Sequence, residues 1–263
     1  VELQVTSHFS FLRGASSPEE LFSAAALLGH QALGLADWGS VAGVVRGWAG
    51  QKATGVRMIA GARVDLSDGR ALLLYPTDRA AWSQLTRLLS VGKARGGKGC
   101  CLLDWADLAN HAQGLIAILL PDLADSTTLA NLAELRQVFG NRAYMALSLR
   151  RRPEDAARLN DLDVMAHKAG VRSVATGDIL YHTPEARPLQ DVMTAIREQT
   201  SIDALGFKRE RYMDRNLKSP QEMERRFAAF PDAIRASADI AERCQFDLGE
   251  IQYQYPYEEV MEG

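Results

Sequence analysis

The chain has little of what staples or anchors a protein. Three cysteines in 263 residues, two adjacent (Cys100, Cys101) and one distant (Cys244), supply neither a disulfide framework nor a Cys-x-x-Cys metal knuckle. They read as reduced, structural thiols. No apolar run approaches the ~20 residues of a membrane span, and no basic stretch leading into an apolar one marks an export signal. A soluble, cytoplasmic protein without a membrane partner is expected. Positive charge is not in excess either: 30 Lys and Arg face 33 Asp and Glu for a formal net charge of -3, so any nucleic-acid contact must be local. The five histidines, His8, His30, His111, His167 and His182, form no His-x-His or His-Glu-x-x-His pair. No Gly-x-Ser-x-Gly turn offers a nucleophile, and neither repeats nor low-complexity tracts are evident.

At 47% hydrophobic, the sequence can bury one large core. Strand-like runs at 3–6, 32–36, 57–66, 71–75, 115–120, 144–149 and 171–176 alternate with amphipathic helical patterns at 18–28, 41–53, 79–90, 127–139 and 154–169. The alternation predicts an α/β fold on a mainly parallel sheet, open or closed into a barrel. The run Leu115-Ile116-Ala117-Ile118-Leu119-Leu120 suits a strand buried on both faces. Ser17, Pro18 and Glu20 spell a helix start with cap, first-turn proline and capping-box acid, and Gly29 ends that helix. After about residue 203 the pattern changes. Residues 206–218 are polar and basic, helical patterns follow at 220–227 and 232–243, and Tyr253-Gln254-Tyr255-Pro256-Tyr257 closes nothing. A barrel domain over 1–205 is therefore expected, with 206–263 a connector and helical segment leading to something beyond this sequence.

Gly92-Lys93-Ala94-Arg95-Gly96-Gly97-Lys98-Gly99 nearly spells a phosphate-binding loop, but Gly99 replaces the hydroxyl that would hold magnesium. A flexible basic surface loop is expected instead, with Lys93, Arg95 and Lys98 as candidate contacts to a DNA backbone. Asp37 directly follows a buried strand, where an acid can be catalytic or can cap and hold a loop; the structural role is favoured. His8 and His182 also follow strand ends, where barrel enzymes build their sites.

The run Glu2-Leu3-Gln4-Val5-Thr6 through Ser10-Phe11-Leu12-Arg13-Gly14-Ala15-Ser16, then Pro18-Glu19-Glu20-Leu21, Ala36-Asp37-Trp38-Gly39, Ile59-Ala60-Gly61-Ala62-Arg63, Gly92-Lys93, residues 114–120 and Val174-Ala175-Thr176-Gly177-Asp178, resembles the PHP (polymerase and histidinol phosphatase) domain of bacterial C-family DNA polymerases, especially their error-prone, damage-induced branch. The resemblance extends to Ile240-Ala241-Glu242-Arg243-Cys244 and so covers essentially the whole chain. It implies a distorted seven-stranded (βα) barrel with a C-terminal helical extension. It also implies a site for up to three metal ions, and here the sequence departs from the family. Gln4 and Thr6 stand for two histidines, Arg13 for an acid, Trp38 for the histidine after Asp37, Arg63 for a glutamate, Ala71 for another histidine, and Leu180 for the histidine after Asp178. A histidine is missing near Arg150 too. Arginine neither ligates nor deprotonates, so Arg13 and Arg63 would bring permanent positive charge to the pocket.

An Arg–Asp178 pair closing the cleft, with Trp38 filling volume, follows as the expectation, together with no bound metal, no hydrolytic activity and no cofactor in this chain. The parent polymerase would carry Mg²⁺ in a core beyond this sequence. It would meet template-primer DNA, a sliding clamp and an inactive polymerase-like accessory protein in translesion synthesis. The alternative is an active metal-dependent PHP hydrolase, a 3′–5′ exonuclease or phosphoesterase, for which His8, Asp37, Asp178 and His182 are the available ligands. A free-standing binding module is a third possibility.

Overall fold

The computed structural model describes residues 1–149, 151–209 and 214–251. In chain order these form β1 (Glu2–Val5), α1 (Pro18–Leu27), β2 (Ala32–Trp38), α2 (Val44–Thr54), β3 (Arg57–Asp65), β4 (Ala71–Pro76), α3 (Arg79–Gly96), α4 (Trp105–Asn110), β5 (Leu115–Leu119), α5 (Ser126–Phe139), β6 (Ala143–Ser148), α6 (Asp155–Lys168), β7 (Arg172–Thr176), α7 (Arg187–Arg197), α8 (Pro220–Arg226) and α9 (Pro231–Arg243). The start of α1 is built as its residues dictate. Ser17 Oγ accepts the Glu20 N–H and the Glu20 carboxylate accepts the Ser17 N–H, satisfying two donors the first turn would otherwise leave bare.

The seven strands form one sheet in sequence order. β1, β2 and β3 run parallel, as do β5, β6 and β7, while β4 is antiparallel to both neighbours. The segment after β7 brings the two edges together: Ile179 donates to the Gln4 carbonyl at 2.7 Å and accepts from Thr6 N at 3.0 Å. The result is an α/β fold with a nearly closed seven-stranded barrel. Because β4 is reversed, its first residue, Ala71, lies on the same rim as the C-terminal ends of the other strands, opposite Asp65.

The barrel is packed, not hollow. Leu3, Ile59, Leu73, Tyr75, Ile116, Ile118, Tyr144 and Val174 form a buried inner cluster. Tyr75 is fully buried and its hydroxyl donates to the Leu3 carbonyl. Its ring passes so close to β3 that a Cβ on Gly61 would sit 2.4 Å from it, so that position admits glycine alone.

α9 joins the same cluster from the rim where the parallel strands begin. Ala236, Ile240 and Ala241, with Cys244 just beyond, pack into it. Arg57 at the start of β3 donates to the carbonyls of Ala241 and Cys244 (2.8 Å to the latter), and Arg172 at the start of β7 meets Asp239 at 2.6 Å. A guanidinium on the last carbonyls of a helix satisfies acceptors the helix leaves open.

One expectation is corrected. The Gly92–Gly99 run is not a free basic loop, since α3 continues through Gly96 and ends at Gly97, whose φ is positive. Arg95 forks onto Asp107 with bonds of 2.6 and 3.0 Å, and Asp107 closes the capping box of α4 with Asp104. Lys93, Arg95 and Lys98 thus surround a helix end, and of the three the forked ion pair fixes Arg95.

Candidate functional site

The rim formed by the strands' C-terminal ends carries three groups built from positions singled out in the sequence. The first is centred on Asp178, which follows Gly177 beyond the end of β7 with φ +51°, a left-handed conformation that aspartate tolerates better than most residues. Gln4 Nε2 donates to one carboxylate oxygen at 2.8 Å. Arg215 reaches the other at 2.6 Å and also donates to the Asp178 carbonyl at 3.0 Å. The Gln4 oxygen accepts from Thr176 Oγ1 at 2.7 Å, and Thr176 meets Ser148 Oγ at 2.6 Å. A continuous hydrogen-bonded chain therefore runs Ser148, Thr176, Gln4, Asp178, Arg215. The ion pair on Asp178 was expected, but its arginine was not: it is Arg215, from the segment beyond α7, and not Arg13 or Arg63.

Those two arginines make the second group. The guanidinium carbons of Arg13 and Arg63 lie 3.5 and 3.6 Å from the centroid of the Trp38 ring. Both guanidinium groups therefore lie against the Trp38 ring, each contact of a kind worth about 0.5–2 kcal/mol. Burial, and then the charges of Arg197 and Arg63, hold the Arg13 pKa below its ordinary value. Arg63 is steadied by Asp65, 3.1 Å away.

The third group is a serine cage around Asp37. The carboxylate is 1% exposed and accepts from Ser7 N at 2.9 Å, from Ser7 Oγ at 2.9 and 3.0 Å, and from Ser10 Oγ at 2.7 Å. Ser10 Oγ in turn accepts the Trp38 N–H. Burial pushes the Asp37 carboxyl up, against the pull of these hydrogen bonds. Asp37 ties the loop after β1 to the end of β2.

The remaining candidates are dispersed or occupied. Thr6 is buried and its backbone N–H closes the barrel on Ile179. Leu180 is buried with Ala15 and Tyr181, and Ala71 is half-buried on the rim. His182 Nδ1 shares a 2.7 Å hydrogen bond with Ser16 Oγ, while His8 is exposed beside Phe9. Arg150 lies outside the described residues. Among the described residues no three His, Cys, Asp or Glu side chains are close enough to hold a metal ion. The residues present do not fit a multinuclear metal site: its carboxylates are engaged by arginine, glutamine and serine donors, and guanidinium groups stand where anionic ligands would be needed to offset the cations.

The sequence reading missed Arg215 and the buried acid Glu2. Arg215 lies only two residues past 210–213, which are outside the described residues, and nothing in its neighbourhood marks it as a partner of a residue 37 positions earlier. Glu2 is 2% exposed, its oxygens accept from Gln4 N at 2.7 Å and Gly177 N at 2.9 Å, and burial raises its pKa despite these bonds. A lone charge at the start of an apolar strand was its only signal.

Residues 2–159 match the family described as PHP domain. Error-prone DNA polymerase 1 of Agrobacterium fabrum is 54% identical over 262 residues, covering 100% of this chain and 24% of that protein. Error-prone DNA polymerase 2 of Rhizobium meliloti is 52% identical with the same coverage, and the error-prone DNA polymerase of Caulobacter vibrioides is 43% identical over 264 residues. The chain thus spans about a quarter of the length of the curated relatives it matches. A crystal structure from Bifidobacterium adolescentis, described as a metal-dependent phosphoesterase, superposes with a TM-score of 0.52 at 11% identity over 67% of this chain and 86% of that one, a likeness of fold alone.

Proposed function

We propose, from the premise that this chain belongs to the PHP domain family and is the PHP domain of an error-prone DNA polymerase, that it acts as a metal-free scaffold without exonuclease or phosphoesterase activity. The observation that carries this proposal is the double closure of the barrel mouth, by Arg215 and Gln4 on Asp178 and by Arg13 and Arg63 on Trp38. A metal-dependent hydrolase needs a cation to lower the pKa of a bound water and polarise the scissile phosphate. Here the carboxylates that would attract that cation already neutralise or accept from protein groups. Tryptophan and arginine offer no lone pair to replace them.

Nucleotidyl transfer, its Mg²⁺, and contacts with template-primer DNA, a sliding clamp and an inactive polymerase-like accessory protein are assigned to the parent polymerase. Within that protein the PHP domain supports the polymerase core. The test is hydrolysis by the purified chain of a 3′-labelled oligonucleotide and of p-nitrophenyl phosphate, with Zn²⁺ or Mn²⁺ supplied. Background rates support the scaffold. Turnover that disappears in Asp178→Ala would establish the hydrolase instead.

A further inference from the structure

α7 is built inside out. A surface helix ordinarily turns its apolar stripe to the core and its polar face to water. In α7 the buried positions include Gln190, Asp191 and Thr194, while Leu189, Val192 and Ile196 are 52%, 39% and 57% exposed. Spacings of three and four place these three on one stripe. Polar contacts hold the helix in this orientation. Arg187 Nε donates to Asp191 at 2.7 Å with both side chains 7% exposed, and Arg209 reaches the other Asp191 oxygen at 2.9 Å. At the C-terminal end, Arg197 donates to the Leu12 carbonyl at 2.7 Å, tying α7 to the loop that presents Phe11, 82% exposed.

We propose that the outward face of α7, with Phe11 on the loop tied to its end, is the surface on which the rest of the parent polymerase docks. The proposal rests on the scaffold reading above and gives that scaffold its contact face. The relatives carry some three-quarters of their length outside the stretch matched here, in one covalent chain with it. A covalently linked domain meets this stripe at a high effective concentration without an affinity that would hold separate molecules together. The stripe's chemistry points to protein: Leu189, Val192 and Ile196 offer aliphatic packing, whereas a nucleic-acid strand asks for flat rings in series along a cationic groove. An uncovered stripe of this kind is unfavourable in water and marks a contact surface.

The experiment is hydrogen–deuterium exchange of the isolated chain and of the full-length parent, each with and without Leu189→Asp/Ile196→Asp. In the isolated chain the double variant should unfold at the same temperature as the natural sequence, because both positions face solvent. In the parent, the amides of α7 and of the Phe11 loop should exchange about tenfold more slowly than in the isolated chain, and the double variant should abolish the difference. Equal exchange in the two proteins overturns the proposal. So does slowing in the isolated chain that grows with its concentration, which would mean a second copy, and so does slowing that requires a single-stranded oligonucleotide. The scaffold reading is judged separately by metal content and hydrolysis, neither of which enters the exchange comparison.

Discussion

An imidazole coordinates a metal through a lone pair, whereas the Gln4 amide nitrogen can only donate, and that difference fixes the state of Asp178. With a donor from Gln4 and a guanidinium from Arg215, the carboxylate is already an acceptor in full use. Both side chains of the ion pair are about one-fifth exposed, so the pair is modest and its loss is graded. Asp178→Asn, which keeps the left-handed backbone tolerable, should destabilise the fold by about 1–2 kcal/mol in urea unfolding, and Arg215→Met less in that background than in the natural sequence, because the two changes remove the same interaction. Glu2 makes a prediction about pH. Its folded pKa is raised by burial, so between the ordinary carboxylate pKa of about 4.3 and the raised value the folded state holds the extra proton. Its contribution to stability is therefore greatest at low pH and falls as the pH rises. The stability difference between the natural chain and Glu2→Gln should shift against the natural chain as the pH is raised from about 4 to 7, and a difference that grows in its favour would refute the assignment.

At the level of elements, α9 stoppers one end of the barrel and contributes to its inner core. Ile240 is fully buried there, and Ile240→Ala should cost about 2–5 kcal/mol by urea unfolding, as for other large-to-small core changes. A loss below about 1 kcal/mol would mean α9 is peripheral. The seven strands were legible as short apolar runs and five of the helices between them by their amphipathic repeat, whereas the six-residue α4 was too short to show one; the cap at Ser17 was legible because its chemistry is local. Reversal of β4 left a trace that the reading of a mainly parallel sheet did not use: the segment 66–70 between β3 and β4 is too short for a crossover helix. α3 ran past its expected end because Gly92 is needed for closeness, its missing Cβ admitting Cys101 and Leu103, and not for a turn. α7 was not legible, since its apolar residues face away from the core and its polar ones toward it. The Arg13–Trp38–Arg63 stack was legible only in part. The substitutions were visible, but bringing the loop residue Arg13 onto the ends of β2 and β3 is a property of the folded barrel.

Over the whole molecule, one end of the barrel is filled by α9 and the other by side chains that bond to one another, so the domain's remaining resource is its outer surface. In the scaffold role proposed for it, the domain serves its parent through stability and contact. Deleting it should leave the remaining polymerase less soluble before nucleotide selection changes, measured as soluble yield beside misincorporation frequency; a soluble truncation with altered fidelity would contradict that order of effects. The central claim is that the barrel mouth has exchanged metal ligands for internal partners. It is tested most directly by metal content, measured by inductively coupled plasma mass spectrometry after incubation of the chain with Zn²⁺ and Mn²⁺ and extensive dialysis. Less than about a tenth of an equivalent is predicted, whereas about one equivalent or more, lost in Asp178→Ala, would contradict the account.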